Sequence, residues 1–375
     1  MGDCAFRGCT KLYAVTLNGV GTMGASAFYG CSSLRSVDIP NATRVISNSA
    51  FWGCSSLQEM TIPQSVTSIG DYAFRGCTAL KDVTFADRTT ALSLGSNGSD
   101  PMFSSCPLES VYIGGKITYS KSSSYGYSPF YRNTTLKSVT ITDTETTIYP
   151  NEFYGCSALA DVSIGDGVTT IGNWAFSGCS SLTNFSFGRG MKTIGEEAFS
   201  DCTAMTTIVS QASVPPTCGS QALDDINKWE CELFVPTGYA DAYAAADQWK
   251  EFFFVEEKDV EETYSTILAA EYGTWIVPVD AEIPEGFTFY TCENFNGGSL
   301  ELVEATSIEA NVPYIIQGSA GDTCTVTGIY DMSDNLTYGC LTGVYEDTQV
   351  TSGYVLQDGE EGLGFYRVGS SAITL

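Results

Sequence analysis

A unit of about 23 residues repeats along the first 210 residues of the chain, and this period constrains the fold more than any other feature. The sequence AFWGCSSL at 50–57 returns as AFRGCTAL at 73–80 and as AFSGCSSL at 175–182. One position marks the register, at successive intervals of 22, 23, 23, 29, 27, 23, 23 and 23 residues. Its occupants are Cys9, Cys31, Cys54, Cys77, Cys106, Asn133, Cys156, Cys179 and Cys202. A period of this length predicts a solenoid of stacked units.

Within each unit, the residues after the cysteine predict a short strand. Leu159, Val162 and Ile164 show the Leu-x-x-Val-x-Ile pattern, whose alternate apolar positions face one side of a strand. A Val-Thr-x-Ile-Gly run follows, as at 168–172. One unit cannot bury its apolar face alone, so the units should stack as rungs at about 4.8 Å, the spacing of parallel strands. Residues 1–210 are therefore predicted to form a ladder of about nine rungs, each a β-strand with short turns or 3-10 segments.

The complete motif Ile-Gly-x-x-Ala-Phe-x-Gly-Cys-Ser-Ser-Leu-x-x-Val-x-Ile-Pro resembles the repeat of the BspA-like bacterial surface-antigen family. The resemblance covers residues 3 to about 210. It implies a leucine-rich repeat solenoid, a secreted or cell-surface location in a bacterium, and a role in adhesion. Residues 211–255 resemble the closing segment behind such arrays, and we expect them to cap the open sheet edge and the apolar core.

The charge balance changes near residue 255 and indicates a second domain. Residues 256–375 hold 21 acidic and two basic residues, a net charge of −19, whereas the preceding 255 hold 23 and 15, a net charge of −8. The charged run 256–262 is interpreted as a linker. Beyond it, short β runs such as 287–290 and 313–316 lie between Gly, Asp and Asn turns. Residues 263–375 are therefore predicted to form an acidic, all-β, sandwich-like domain.

The composition also excludes several classes of function. A net charge of −27 disfavours binding to phosphate backbones, so we expect no nucleic-acid partner. No run of about 18 apolar residues is present, which predicts no transmembrane segment. The chain contains no histidine, the usual general base and the commonest zinc ligand. We therefore expect no enzymatic activity, no cofactor and no metal site. The chain opens inside a repeat unit, so we expect a targeting segment to lie outside it.

The cysteine column is predicted to be structural. Its spacing is the repeat period, and no C-x-x-C pair is present. Stacked rungs keep neighbouring Cβ atoms about 4.8 Å apart and pointing the same way, whereas a disulfide needs about 3.8 Å and convergent bonds. We expect free thiols that pack as small apolar groups. Cys324 and Cys340 lie outside the column, and the sequence leaves their pairing open.

Two adjacent units are longer than the period, and they supply the candidate binding site. The insertions are residues 88–101 and 116–128, and the second is rich in Tyr, Ser and Gly, a composition typical of adaptable binding loops. We predict an aromatic, locally basic patch made of Tyr112, Lys116, Tyr119, Lys121, Tyr125, Tyr127 and Arg132. The alternative is an insertion tolerated without a function. Exposed strand positions such as Thr61 and Thr84 form a second candidate surface, although Ser and Thr also suit exposed strands.

Three functions follow from these features. The first is a non-catalytic binding or adhesion protein that recognises a host matrix protein, another cell or a glycan through the solenoid. The second is a structural stalk or scaffold whose C-terminal β domain is the functional module. The third is a polysaccharide-acting enzyme that uses two carboxylates, a chemistry that needs no histidine, although no fixed acid pair can be identified in the sequence.

Overall fold

The computed structural model describes the chain in ranges separated by short gaps. These are residues 1–95, 101–119, 128–259, 261–268, 271–277, 279–296, 299–310 and 312–330, and beyond them the strand residues 337–338, 341–342, 349–350, 354–359, 362–367 and 373–374. The chain divides into two compact units, Met1–Lys258 and Asp259–Leu375. The division falls inside the charged segment 256–262.

One side of the first unit is a ladder of parallel strands, which we name the front ladder. In the register, Val139 lies opposite both Val111 and Val162. Side chains alternate between core and surface, since Met60 and Ile62 are buried while their neighbours Glu59 and Thr61 are exposed. The alternation predicted from the sequence is confirmed. The strands are Ala14–Thr16, Ser36–Asp38, Glu59–Ile62, Asp82–Phe85, Ser110–Ile113, Ser138–Ile141, Asp161–Ile164, Asn184–Phe187, Thr207–Ser210, Glu232–Val235 and Phe254–Glu257.

A second side carries shorter parallel strands, the rear ladder. They come from the Val-Thr-x-Ile part of each unit and place the Ile side chain in the core, as with Ile171 and Ile194. The rear ladder is divided between Ile117–Tyr119 and Thr147–Ile148 into sets of five and four strands. The strands are Thr22–Met23, Val45–Ile46, Ser68–Ile69, Leu92–Leu94, Ile117–Tyr119, Thr147–Ile148, Thr170–Ile171, Thr193–Ile194 and Thr217–Cys218. The division coincides with the second long insertion.

The third side, which we name the turn side, is built from the Ala-Phe segments. Backbone hydrogen bonds join one segment to the next, as from Phe28 N to Ala50 O at 2.8 Å. The Phe rings stack inside the core, with 5.3 Å between the ring centroids of Phe28 and Phe51. The residue before the cysteine has a positive φ, 73° at Gly53, which explains why glycine recurs there. We number the rungs 1 to 9 by their rings: Phe6, Phe28, Phe51, Phe74, Phe103, Phe130, Phe153, Phe176 and Phe199.

The cysteine column lies in the core, and the prediction of free thiols is confirmed for it. Cys31, Cys54, Cys77, Cys106, Cys156, Cys179 and Cys202 are free and buried, whereas Cys9 is free and exposed in rung 1. Each buried thiol contacts the Phe carbonyl of the preceding rung, as from Cys54 Sγ to Phe28 O at 3.2 Å. Cys324 is also free and buried. Cys340 lies outside the described residues.

The solenoid continues beyond the nine predicted rungs. Phe199 N donates to Ala222 O at 3.0 Å, so the predicted cap contributes a tenth turn. Glu256 and Glu257, predicted as linker, belong to the last front strand, which pairs with Glu232–Val235. The end of the core holds the α-helix Ala240–Ala245 and the 3-10 helix Trp249–Glu251. Among the described residues, no helix is long and apolar enough to cross a membrane.

The second unit consists of antiparallel sheets, which confirms the all-β prediction. One sheet has the order Glu261–Ile267, Thr323–Tyr330, Val279–Asp280, and another has the order Tyr272–Trp275, Tyr314–Gln317, Thr288–Asn296, Ser299–Glu304. Three further pairs are Thr337–Tyr338 with Leu341–Thr342, Gln349–Val350 with Ile373–Thr374, and Tyr354–Gly359 with Gly362–Arg367. The two larger sheets share a core that includes Val279, Phe289, Ile316 and Val326.

Candidate functional site

The described members of the predicted patch do not lie on one side of the solenoid. Tyr112 lies in the front ladder, where its hydroxyl donates to Asp87 Oδ1 at 2.7 Å. That hydrogen bond is the main reason that the pKa of Tyr112 is raised. Lys116 is exposed beside the rear ladder, and Arg132 is exposed on the turn side. Lys121, Tyr125 and Tyr127 lie outside the described residues.

Tyr119 was predicted as a surface residue, and this is wrong. It is 9% exposed, because alternation in the strand Ile117–Tyr119 directs residues 117 and 119 into the core. Buried Glu145 lies beside the break in the rear ladder, and its carboxylate accepts the backbone N–H groups of Ile117 and Thr147. Glu152 is also buried and accepts from Tyr149 N at 2.6 Å. These carboxylates satisfy backbone groups that the ladder leaves unpaired there.

Replacing Tyr119 with phenylalanine is expected to raise the free energy of unfolding by about 1 kcal/mol. The Tyr119 hydroxyl is buried and has no hydrogen-bond partner within the described residues. Burial of an unpaired hydroxyl costs free energy, and phenylalanine keeps the ring that packs against Tyr149 at 5.5 Å. Chemical denaturation measures the change. If the free energy of unfolding of the variant instead fell by more than about 1 kcal/mol, the Tyr119 hydroxyl would be shown to have a hydrogen-bond partner.

The turn side carries a row of exposed and half-buried aromatic and arginine side chains, which we name the aromatic–arginine row. Arg75 lies 4.8 Å from the ring centroid of Trp52, and Arg7 lies 4.9 Å from that of Tyr29. Tyr131 and Tyr154 stack at 5.1 Å. The row follows the x position of the Ala-Phe-x-Gly motif and its neighbours. Its members are Arg7, Tyr29, Trp52, Tyr72, Arg75, Tyr131, Arg132 and Tyr154.

A cavity of about 500 Å³ opens on the turn side between rungs 5 and 6. Its walls come from the two turn segments and include Ser104, Ser105, Tyr131, Arg132 and Thr134. The prolines at 101, 107 and 129 complete an apolar part of the wall. The volume falls within the range of about 300 to 1,000 Å³ that is usual for small-ligand pockets.

Arg132 borders this cavity, and its backbone is unusual. Its φ is 54°, at a position where six other rungs have glycine. The guanidinium carbon lies 5.3 Å from the ring centroid of Tyr131 and 5.7 Å from that of Tyr154. Among the described residues, no carboxylate forms an ion pair with Arg132. The side chain lies over Gly155 and beside the stacked rings of Tyr131 and Tyr154, so its charge lies between rungs 6 and 7 and not in the cavity between rungs 5 and 6.

The acidic residue Glu109 of the solenoid has structural partners. Glu109 bridges Lys137 and Lys81 along the front ladder at 2.7 and 2.6 Å. The pKa of Glu109 is lowered to about 2. The hydrogen bond from Lys137 is the largest cause, and that from Lys81 is the second. Within the described ranges, no group of three or more Cys, Asp or Glu side chains could hold a metal ion.

The sequence analysis identified Arg132 but missed the rest of the cavity. Ser104, Ser105 and Tyr131 are single residues of common types, and none suggests chemistry by itself. The available indication was the departure from the Gly-Cys-Ser-Ser-Leu consensus, since rung 5 reads Ser-Cys-Pro-Leu and rung 6 reads Arg-Asn-Thr-Thr-Leu at the corresponding positions. Both altered segments border the same cavity.

Comparison with known proteins agrees with the repeat assignment. The model of the BspA-type leucine-rich repeat region matches residues 1–129 and 123–227, with six copies. No curated protein is significantly similar to the chain.

Three solved structures illustrate the similarity. A leucine-rich repeat protein of T. pallidum is 26% identical, with a TM-score of 0.36 over 45% of this chain and 78% of that one. One from Bacteroides ovatus is 22% identical, with a TM-score of 0.31 over 69% and 86%. A leucine-rich cell-surface protein of Faecalibacterium prausnitzii is 20% identical, with a TM-score of 0.29 over 69% and 83%.

Proposed function

Because the chain belongs to the BspA-type leucine-rich repeat family, we propose that it is a non-catalytic binding protein of the bacterial cell surface. It recognises a host matrix protein, another cell or a glycan through the solenoid. The surface location and the adhesive role rest on the family resemblance, and the turn side of the solenoid supplies the contact surface.

The aromatic–arginine row is the observation that carries this proposal. Trp, Tyr and Arg are the residues that most often dominate binding energy at protein interfaces. Here they recur at the rung spacing on a rigid backbone, so little conformational entropy is lost when they contact a partner. Contacts such as that of Arg75 with Trp52 and Tyr72 hold the side chains in place.

The two other functions have weaker support. The buried carboxylates of Glu145 and Glu152 accept backbone N–H groups, which is a structural role. The described wall of the cavity contains no carboxylate, whereas the proposed carboxylate chemistry needs two. The stalk hypothesis places binding in the second unit. Comparing the full chain with residues 1–258 distinguishes it from our proposal.

The test is binding of the full chain and of residues 1–258 to a panel of immobilised host matrix proteins and glycans. The truncation is justified because the first unit has a hydrophobic core of its own. We expect saturable binding that residues 1–258 retain. Trp52→Ala and Tyr154→Ala should each weaken it by about tenfold, the effect of removing one interface anchor.

Tyr13→Ala is the matched control. Tyr13 is 59% exposed and precedes the first front strand, away from the turn side, so its removal should leave affinity unchanged. Thermal unfolding of each variant checks that the solenoid is intact. Binding that requires residues 259–375, or that survives both turn-side substitutions, would contradict our proposal.

A further inference from the structure

We infer that the C-terminal end of the front ladder binds an extended segment of a partner protein, in which apolar and basic side chains alternate along one strand face. This surface is separate from the turn side, so the inference does not rest on the proposed function. It is carried by three observations: a change from polar to apolar residues on the outer face, the edge of the last strand, and carboxylates placed beside aromatic rings.

The outward-facing residues of the front ladder change in character towards its C-terminal end. In one column, Thr140 lies opposite Ser163, and both carry a hydroxyl. Further along the same column, Ser186 lies opposite Val209, and Val209 lies opposite Phe234. Hydroxyl side chains suit an exposed strand, whereas apolar side chains on such a face gain free energy when a partner covers them. The last strands therefore differ from the rest of the ladder.

Three exposed aromatic side chains extend this apolar surface. Trp229 is 70% exposed, Phe253 62% and Phe254 47%. The ring centroids of Trp229 and Phe253 lie 5.1 Å apart, and those of Phe253 and Phe254 lie 5.0 Å apart. Contiguous exposed apolar patches often mark interaction sites. We name Val209, Trp229, Phe234, Phe253 and Phe254 the end patch.

The segments that carry the exposed rings are fixed to each other. Phe253 N donates to Lys228 O at 3.0 Å, and Trp229 N donates to Asn227 Oδ1 at 3.3 Å. Lys228 Nζ also donates to Glu251 Oε2 at 2.8 Å, and the Lys228 side chain is only 10% exposed. The end patch is thus organised before a partner arrives, which lowers the entropic cost of binding.

The last strand of the front ladder, Phe254–Glu257, offers the partner a backbone to pair with. It pairs in parallel with Glu232–Val235, and within the part of the chain that the structure describes no strand pairs with its other edge. An open edge presents N–H and C=O groups that an added strand can satisfy. Side chains of an added strand alternate with a period of two, so residues i and i+2 would lie beside Phe254 and Glu256.

The charges of the outer face select a basic partner. Glu232 lies directly opposite Phe254, and Glu256 lies directly opposite Phe234. Both carboxylates are exposed, and among the described residues neither forms an ion pair. The surface already accepts a cation of its own chain, since Lys258 Nζ lies 5.0 Å from the ring centroid of Phe234. A lysine or arginine of the partner would pair with a carboxylate and contact a ring. A second copy of the chain would instead bring like charges together.

The first experiment titrates the full chain with the peptide acetyl-Thr-Arg-Thr-Phe-Thr-Arg-Thr-amide, observed by ligand NMR. The Phe and both Arg side chains share one strand face in either chain direction. We expect a Kd of about 0.1 to 1 mM, because a short flexible peptide loses entropy on binding. One control peptide has Glu in place of both Arg residues. The other, acetyl-Thr-Arg-Phe-Thr-Thr-Arg-Thr-amide, moves Phe to the opposite face.

Both control peptides should bind at least about tenfold more weakly than the first. Equal binding of the Glu-containing peptide would overturn the charge assignment. Equal binding of the peptide with the displaced Phe would overturn strand pairing.

Variants of the last strand test the site. Phe254→Ser should weaken binding by about tenfold. Glu256→Lys should reverse the charge preference, so that the Glu-containing peptide binds more tightly than the Arg-containing one. Tyr13→Ser and Glu59→Lys are matched controls, because Tyr13 is an exposed aromatic residue beside the first front strand and Glu59 is an exposed acid of the ladder. Both should leave affinity unchanged, and thermal unfolding checks that every variant is folded.

Other occupants of the end patch would give different results. A dimer of the full chain in sedimentation equilibrium that Phe254→Ser dissociates would show that a second copy binds there, and the inference would be wrong. Peptide binding by residues 1–258 but not by the full chain would show that the end patch is unavailable to a partner, and absence of binding to both would also overturn the inference. Trp52→Ala should leave peptide binding intact, which separates this test from that of the proposed function.

Discussion

Arg88→Ala is expected to lower the free energy of unfolding by about 2 to 5 kcal/mol. Arg88 is 3% exposed, and its guanidinium donates to the carbonyl oxygens of Val66, Ile62 and Ala86 at 2.9, 3.1 and 3.2 Å. Alanine would leave the carbonyls of Val66 and Ala86 without this donor, whereas Ile62 O keeps the hydrogen bond from Ala86 N at 3.0 Å. Each buried unpaired group costs about 1 to 3 kcal/mol. Equilibrium denaturation by urea measures the change.

Arg88→Met separates the polar contribution from packing. Methionine keeps an apolar chain of similar length and supplies no donor, so we expect a loss nearly as large as that of the alanine variant. The exposed control Arg35→Ala should change stability by less than about 0.5 kcal/mol. If Arg88→Met lowered the free energy of unfolding by less than about 1 kcal/mol, other groups would be shown to donate hydrogen bonds to these carbonyls.

The first unit is expected to unfold cooperatively between about pH 10 and pH 11. Burial raises the pKa of five thiols, those of Cys54, Cys156, Cys202, Cys218 and Cys231, from 9.0 to about 12. Because the pKa is raised in the folded state, the stabilisation of the fold by the protonated thiols is fully present below pH 9. It is lost as the pH rises towards 12, because the unfolded chain releases these protons first.

The size of this loss follows from linkage. At pH 10, one such thiol contributes a loss of roughly 1 kcal/mol, and five together contribute several kcal/mol. That is comparable with the whole stability of a typical domain, about 5 to 15 kcal/mol. Circular dichroism during an alkaline titration measures the transition, and the pH dependence of urea unfolding at pH 9 to 10 gives the number of protons released. Release of fewer than about two protons would contradict the prediction.

A matched variant isolates the thiol contribution. Cys156→Ala removes one buried thiol, so the slope of stability against pH should fall by about one proton. Cys4→Ala is the matched control, because Cys4 is exposed and its replacement removes a cysteine without removing a buried thiol.

The features that the sequence determined are those that every rung repeats. Phe28, Phe51 and Phe74 occupy one motif position, so stacking the units in register must stack their rings. The same reasoning placed the cysteine column in the core as free thiols. The strand pattern of Val and Ile fixed which residues face inwards, because side chains alternate with a period of two.

Tertiary structure decided what happens where the repeat is broken. Tyr119 lies within the insertion 116–128, so its side in the strand depends on a register that the consensus does not supply, and a shift of one residue reverses the side. Ser104, Ser105 and Arg132 border one cavity only because rungs 5 and 6 separate at the turn side. A repeating sequence specifies contacts between equivalent residues of neighbouring rungs, whereas a gap between two altered rungs depends on how both segments pack together.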